Sequence, residues 1–304
     1  MASKILIGPS SFAELDRTPL EKLLARGFEV IKNPFKRKIT KEELQELLNK
    51  DVVGILAGLE QLDREVLSLS NLKCISRVGA GMTNVDIEAA KELNIAVFNT
   101  PDAPTNAVAE LVVGALISLL RWIPQSNQTV HERNWARKIG RQIEGKTVAI
   151  IGFGRIGSRL AELLTPFRVK LIAVDPFIVS SDLLPCPLLS LEEAVSLADI
   201  ITIHINGEEC LFNDLIFSQM KRGTLLLNAS RGSVVSEKAL LKALNERIVS
   251  MAWLDTFETE PYQGPLCNYE NVILTPHIGS YTAECRYFME IKAVENLLLV
   301  LKEY

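Results

Sequence analysis

The segment TVAIIGFGRIGSRLAELL, residues 147–164, constrains this chain more than any other. A run of Val and Ile enters a turn with glycine at positions 152, 154 and 157, and a helical pattern leaves it. Such a turn is the first half of a parallel β–α–β unit, because parallel neighbours need a crossover. The rest of the chain repeats the rhythm. Strand-like KILIG (4–8), FEVI (28–31), VVGIL (52–56), LKCISRV (72–78) and IAVFN (95–99) alternate with helical PLEKLLARG (19–27), KEELQELLNK (41–50) and DIEAAKELN (86–94). A second series runs through VKLIAVD (169–175), ADIITIHI (198–205), TLLLNAS (224–230), VSMAWLD (249–255) and NVILTP (271–276). The pattern predicts α/β architecture with parallel sheets. Residues 104–135 read as one long helical stretch and about 282–302 as a final helix. No spacer rich in Pro, Gly or Ser marks a boundary between the two series, and no internal repeat is visible.

Composition narrows the function classes. The 304 residues suit two domains, and a formal charge of −4 gives no basic surplus for nucleic acid or an anionic membrane. LVVGALISLL (111–120) is too short for a membrane span of about 20 residues and reads as a buried helix. The N-terminus reads as a first strand rather than a signal peptide. Five scattered cysteines without a CxxC pair predict a reduced, cytoplasmic protein. Three histidines, none four residues from another, argue against a zinc site, and no metal is expected.

The glycine turn predicts a dinucleotide site. Gly152 permits the tight turn, Gly154 lets the backbone approach a pyrophosphate, and Gly157 allows helix and strand to pack closely. Amides at the new helix start, from Arg155 and Ile156, face the phosphate charge. Asp175 ends the next strand, where a carboxylate binds a ribose diol and repels a 2′-phosphate, so NAD is expected over NADP.

Reduction of a carbonyl needs a general acid and the reverse needs a base, for which histidine is the default. His131, in HERNWARK, reads as a solvated helical residue. His204 ends a strand and either touches the dinucleotide or is a satisfied structural histidine. His277 lies just past a strand end, where open α/β sheets bind ligands. Arg231 follows another strand end, where its planar fork suits a carboxylate, or it is an ordinary surface arginine. Asp255 and Glu260 follow a third, as partners for His277 or as plain loop acids.

Six motifs in order carry a resemblance: RVGAGMTNVD (77–86), NTPDAPTNAVAELV (99–112), IIGFGRIG (150–157), MKRGTLLLNASRGSVV (220–235), LDTFETEP (254–261) and LTPHIGSYT (274–282). Over nearly its whole length the chain resembles the D-isomer-specific 2-hydroxyacid dehydrogenases, in their phosphoglycerate dehydrogenase-like branch. The resemblance implies a Rossmann NAD-binding domain at 100–280, with a helical dimer arm at about 104–140. It also implies a discontinuous, flavodoxin-like substrate domain from 1–99 plus 281–304. It implies Arg231 as the carboxylate-binding and carbonyl-polarising residue, His277 as acid/base and Glu260 as its partner. Asp255 resembles the residue facing the nicotinamide, and His204, Ala229 and Gly279 fall along the cofactor cleft. Amides near Val78 and Gly79 would hold the substrate carboxylate. Gly114, Ala115 and Ser118 would permit close helix packing in a homodimer.

The chain departs from the pattern in places. IHINGEECLF (203–212) is shorter than the usual loop and lacks its threonines, and Ser236 replaces an Asp as a helix cap. VGILAGLEQL (53–62) has no arginine where phosphoglycerate enzymes bind phosphate, which weakens 3-phosphoglycerate relative to a related small acid. Arg137 and Lys138 read as a solvated basic face, or else reach a partner's site. With nothing after Tyr304, no appended serine-binding module is expected. The alternative is an NAD(H)-sensing binding protein of corepressor type, which would keep the same Arg/Glu/His set. A non-carbon hydride donor such as phosphite is a third reading, disfavoured by the lack of clustered arginines in the N-terminal half.

Overall fold

The computed structural model describes residues 3–178, 184–207 and 209–302. The chain forms two compact units, Met1–Pro104 with Ser280–Tyr304, and Thr105–Gly279.

Unit 1 holds strands β1 (Lys4–Ile7), β2 (Glu29–Lys32), β3 (Val52–Ala57), β4 (Cys74–Arg77) and β5 (Ala96–Phe98). They form one parallel sheet in the order β2-β1-β3-β4-β5, the flavodoxin-like order. All six β3 residues are buried, as a central parallel strand with both faces covered requires. Helices α1 (Thr18–Leu24), α2 (Lys41–Leu47), α3 (Arg64–Leu69) and α4 (Ile87–Glu92) make the crossovers. They are short, and side-chain caps help to define α2, α3 and α4. Thr40 forms a reciprocal capping box with Glu43, while Asp63 and Asp86 accept from the backbone three residues on.

The C-terminal helix of the chain, α11 (Ala283–Val300), also belongs to unit 1 and packs on α1, β3 and β4. A Cβ on Gly54 would lie 3.0 Å from Leu301 and 3.1 Å from Leu297, so the bare glycine sets how closely this helix approaches the sheet.

Unit 2 holds β6 (Thr147–Ile151), β7 (Lys170–Val174), β8 (Ile200–Ile203), β9 (Thr224–Asn228), β10 (Val249–Leu254) and β11 (Val272–Leu274) in the parallel order β11-β10-β9-β8-β6-β7. Beyond β7, Leu188 makes a single parallel bridge to Ala173. With that residue as a vestigial third strand, the sheet has the doubly wound order of a Rossmann domain. Helices α7 (Arg155–Leu164), α8 (Leu191–Leu197), α9 (Asp214–Gln219) and α10 (Glu237–Asn245) form the layers, and Ser236 caps α10 through Ala239 N–H.

Register levels the strand ends. Ile151 lies beside Val174 and Ile203, Ile203 beside Asn228, Asn228 beside Leu254, and Leu254 beside Leu274. Every loop that follows these strands therefore leaves from one edge.

The stretch expected as one helix over 104–135 is two. Helix α5 (Pro104–Arg121) stops at Trp122, which has φ +54°, and α6 (Ile123–His131) follows. Pro124 causes the break, since it offers no N–H to α5 and its ring would clash with the carbonyl four residues back, whereas the first turn of α6 tolerates it. HERNWARK is not helical beyond His131, and residues 134–143 carry no regular structure. Lys138 lies over the Trp122 ring and pairs with Glu270, so it folds back onto its own unit.

Helix α5 is long and apolar enough to cross a membrane by length and composition, and half of it is buried. Val108, Val112, Leu116, Leu119 and Leu120 join Trp253 and Leu227 in a common core cluster, as expected of a helix that covers a sheet.

Candidate active site

The glycine turn forms as its spacing predicts. Gly152 has φ +91°, and a Cβ there would lie 2.7 Å from the His204 carbonyl oxygen. A Cβ on Gly157 would lie 2.1 Å from the Gly152 oxygen. Any side chain at either position would break the turn. Around Gly154, by contrast, a Cβ would meet nothing within 4 Å. That space lies at the N-terminus of α7, where amides favour an anion. It also lies at the point where the strand order reverses, between β6 and β8. Arg155 is exposed on the first turn of α7, and Ile156 packs partly into the core.

Asp175 follows β7, and its carboxylate accepts from the amides of Phe153 (2.9 Å) and Phe177 (3.0 Å). It is thus fixed to the glycine turn with lone pairs to spare for two hydroxyls. His204 ends β8. Its Nε2 lies 2.8 Å from Thr202 Oγ1, and its buried Nδ1 has no partner. Burial lowers its pKa to about 3, so the ring is neutral at physiological pH. The residue retains some surface, which places this orphaned nitrogen at the rim of the strand ends rather than deep in the core. Together the open space, the amides, Asp175 and His204 fit a dinucleotide. Of the short loop after His204, residue 208 lies outside the described residues.

Arg231, Glu260 and His277 follow β9, β10 and β11, three neighbouring strands. Arg231 and the loop that carries His277 are held by buried groups, and Glu260 by its own loop. The Asn228 side chain accepts from Ser230 N–H and Oγ and donates to the Arg231 carbonyl, which fixes the turn 228–231. Arg231 Nη1 donates to the Ser230 carbonyl at 2.9 Å, and Ala229 packs partly into the core. A Cβ on Gly232 would lie 1.9 Å from the Phe257 carbonyl carbon, so the arginine turn seats directly on the loop that carries Glu260.

In that loop, Glu260 Oε1 accepts from Phe257 N–H at 3.0 Å, and the Phe257 ring stacks on Tyr262 with centroids 4.3 Å apart. Glu260 Oε2 meets His277 Nδ1 at 3.0 Å. The pair is half-exposed, as a pair that serves a ligand must be.

Asp255 supports the histidine from below. It is 1% exposed and accepts from Thr275 Oγ1 (2.5 Å), Ile278 N–H (2.9 Å) and Gly279 N–H (2.8 Å). Trp253 Nε1 completes the chain by donating to Thr275 Oγ1 at 3.0 Å. A buried carboxylate needs this degree of satisfaction. His277 itself sits at φ +52°, a left-handed conformation rare outside glycine, and the Asp255 bonds on its C-terminal side help to hold it there. The sequence offered Asp255 as a partner for His277 and, by resemblance, as a neighbour of the nicotinamide, and its hydrogen bonds in the structure run to the 275–279 loop that carries His277. Asn228, Thr275, Phe257 and Tyr262 went unnoticed, because nothing local distinguishes a polar or aromatic residue that braces a loop.

Unit 1 has its own edge of strand ends. Val78 N–H donates to the Ala57 carbonyl, and Gly79, at φ +141°, donates to Thr100 Oγ1 at 2.9 Å. Both amides expected to hold a carboxylate thus have internal partners. At the switch point between β1 and β3 lies Glu60, 1% exposed. Its Oε1 accepts from Gly58 N–H at 2.7 Å and lies 2.1 Å from where a Cβ on Gly8 would be. Burial raises its pKa, an effect only partly opposed by its own amide, that of Gly58, and the charges of Arg77 and Lys38.

A doubly wound sheet with a glycine turn at its switch point defines unit 2 as a dinucleotide-binding domain. The family model for the NAD-binding domain of D-isomer-specific 2-hydroxyacid dehydrogenases matches residues 113–279, and the chain belongs to that family. It is 35% identical over 259 residues to a D-3-phosphoglycerate dehydrogenase of Synechocystis, covering 83% of this chain and 47% of that one. It is 33% identical over 269 residues to a hydroxypyruvate reductase of Thermotoga maritima, covering 85% and 88%. The solved TT0316 protein of Thermus thermophilus superposes with a TM-score of 0.90 at 32% identity, covering 98% and 97%. The chain spans about half the length of the phosphoglycerate dehydrogenases it matches, 47% and 54% in two of them. None of these relatives supports the corepressor alternative.

Proposed function

We propose that this protein is an NAD-dependent oxidoreductase that interconverts a small D-2-hydroxy acid and its 2-keto acid. The observation that carries the reading is the 3.0 Å contact of His277 Nδ1 with Glu260, on the strand next to the one that presents Arg231. NAD(H), held by residues 152–157, Asp175 and His204 and flanked by Ala229, Asp255 and Gly279, supplies the hydride exchange. The protein supplies binding and the proton. Arg231 grips the substrate carboxylate and polarises the carbonyl. With Nδ1 committed to Glu260, the proton passes through His277 Nε2 to the substrate oxygen in reduction and returns to it in oxidation. The backbone amides of Val78 and Gly79 complete the reading as further carboxylate contacts. Because the amides of Val78 and Gly79 are engaged, substrate either exchanges those bonds or uses the amides that follow.

The lack of an arginine in residues 53–62 favours a small unphosphorylated acid, with 3-phosphoglycerate as the second candidate. Exposed Trp135 (79%) and Ile139 (97%) on the segment after α6 support a homodimer built through that arm. Five free thiols fit a reducing, cytoplasmic setting.

The test is oxidation of NADH and of NADPH by the purified protein against glyoxylate, pyruvate, hydroxypyruvate and 3-phosphohydroxypyruvate. Turnover with NADH, weaker with NADPH, is expected on at least one acid. Tight NADH binding without turnover on any member would overturn the enzyme reading.

A further inference from the structure

Unit 2 concentrates charge at a second place, on the edge where its strands begin. A cavity of about 100 Å³, open to solvent, is lined there by Leu120, Ile200, Thr224 and Leu225 and by the charged residues Arg141, Lys146, Asp199, Lys221 and Arg222. The charged groups converge because three neighbouring strands start side by side. Arg141 and Lys146 precede β6, Asp199 precedes β8, and Lys221 and Arg222 precede β9. Four cations thus face one carboxylate, on a chain whose overall charge is −4.

Asp199 does not neutralise them. Its Oδ2 accepts from Thr147 N–H at 2.9 Å, and its Oδ1 pairs with Lys221 at 3.3 Å. Burial disfavours its charge, but the Thr147 amide and the ammonium groups of Lys221 and Lys146 outweigh that and keep it ionised. Arg141 and Lys146 have no carboxylate within ion-pair distance among the described residues. The two guanidinium groups are aimed by one bond each. Arg141 Nη1 donates to the Gly223 carbonyl at 3.3 Å, and Arg222 Nη1 to the Glu246 carbonyl at 2.6 Å. Each therefore keeps most of its five N–H donors for something else.

We propose that this cavity binds a small phosphate-class oxyanion, inorganic phosphate or a phosphomonoester. Two planar forks and two point charges around a small cavity match a tetrahedral dianion. The cavity is the size of a small ion rather than of a polymer. A strand of about five residues, roughly 15 Å, separates it from the glycine turn, so both sites fill together. An occupant ties the segment after the arm, through Arg141 and Lys146, to the start of β9. The inference is independent of the proposed reaction.

The experiment is thermal unfolding of the whole protein with inorganic phosphate, with glycerol 3-phosphate, and with sodium chloride at matched ionic strength, all under saturating NADH. Either phosphate compound is expected to raise Tm by about 2–4 °C beyond chloride. The better of the two identifies the ligand as the free ion or the ester. The double variant Arg141→Gln/Lys146→Gln should lose most of that increment, and Arg141→Lys should retain part of it. If the double variant fails to fold by circular dichroism, Lys221→Gln replaces it. Equal shifts for phosphate and chloride, or an undiminished phosphate shift in the variant, would overturn the site.

Discussion

The two sheets present their strand ends in different ways. On unit 2, the histidine loop and the arginine turn are each braced by a buried polar group: the loop that carries His277 by Asp255, and the turn that carries Arg231 by Asn228. On unit 1, the switch point holds Glu60, a buried carboxylate whose raised pKa records incomplete compensation. One edge is pre-organised, with its hydrogen bonds made before any ligand arrives. The other carries an electrostatic cost that the fold tolerates. Reactive geometry needs the first arrangement, while an edge that moves no proton survives the second.

Four substitutions can break or sharpen this contrast. His277→Gln should lower kcat by about 10²–10⁴-fold with NADH affinity retained, because general acid–base catalysis contributes on that scale. Near-normal turnover in steady-state assays would remove the histidine from the mechanism. Asp255→Asn keeps the shape but replaces an acceptor with a donor opposite the 275–279 amides. It should destabilise unit 2 by about 2–3 kcal/mol in urea unfolding and lower kcat/KM more than it raises the Kd for NADH. An unchanged midpoint would mean that the bracing is ornamental.

Glu60→Gln should act in the opposite direction. A carboxylate whose pKa is raised on folding contributes stability at low pH that is lost as pH rises above its unfolded value of about 4.3. The variant should therefore be more stable than the parent at pH 8, by about 1 kcal/mol, and the gap should close toward pH 4. A loss of stability at pH 8 would show that the carboxylate is needed where it is. Near neutral pH the smallest effect belongs to His204. With its pKa lowered to about 3, the folded protein resists a proton that the unfolded chain accepts. Stability should fall as pH drops from about 6.5 toward 3, by at most about 1.4 kcal/mol per pH unit, and His204→Gln should flatten that slope. Identical pH profiles for parent and variant would place the imidazole in water.

Much of this was legible in the sequence because the signals were local. The alternation of strand and helix gave the two parallel sheets, and the spacing of Gly152, Gly154 and Gly157 gave the turn. The break at Trp122 was local too, since Pro124 announces it, but the apolar periodicity on either side masked it. The third strand beside β7 was not legible, because a single bridge at Leu188 leaves no periodic run. Asp255 was legible as a partner for His277, but not that it bonds the Ile278 and Gly279 amides, which lie more than 20 positions away. Glu60 is the clearest case of all. A glutamate between two leucine-containing runs looks like a surface acid, and only the missing side chains of Gly8 and Gly58 make room for it inside.

Unit 1 is assembled from both ends of the chain, with α11 packed on β3, β4 and α1. During synthesis, its first 104 residues emerge without that helix, and the 175 residues of unit 2 follow before it arrives. At roughly 5–20 residues per second, this is an interval of about 10–35 seconds. The apolar surface that α11 later covers, around Gly54 in β3, waits through that time on the ribosome. Unit 2 is contiguous and can close as soon as it emerges. The half of the molecule made first is therefore the last to be finished, and it depends most on whatever shelters a nascent chain.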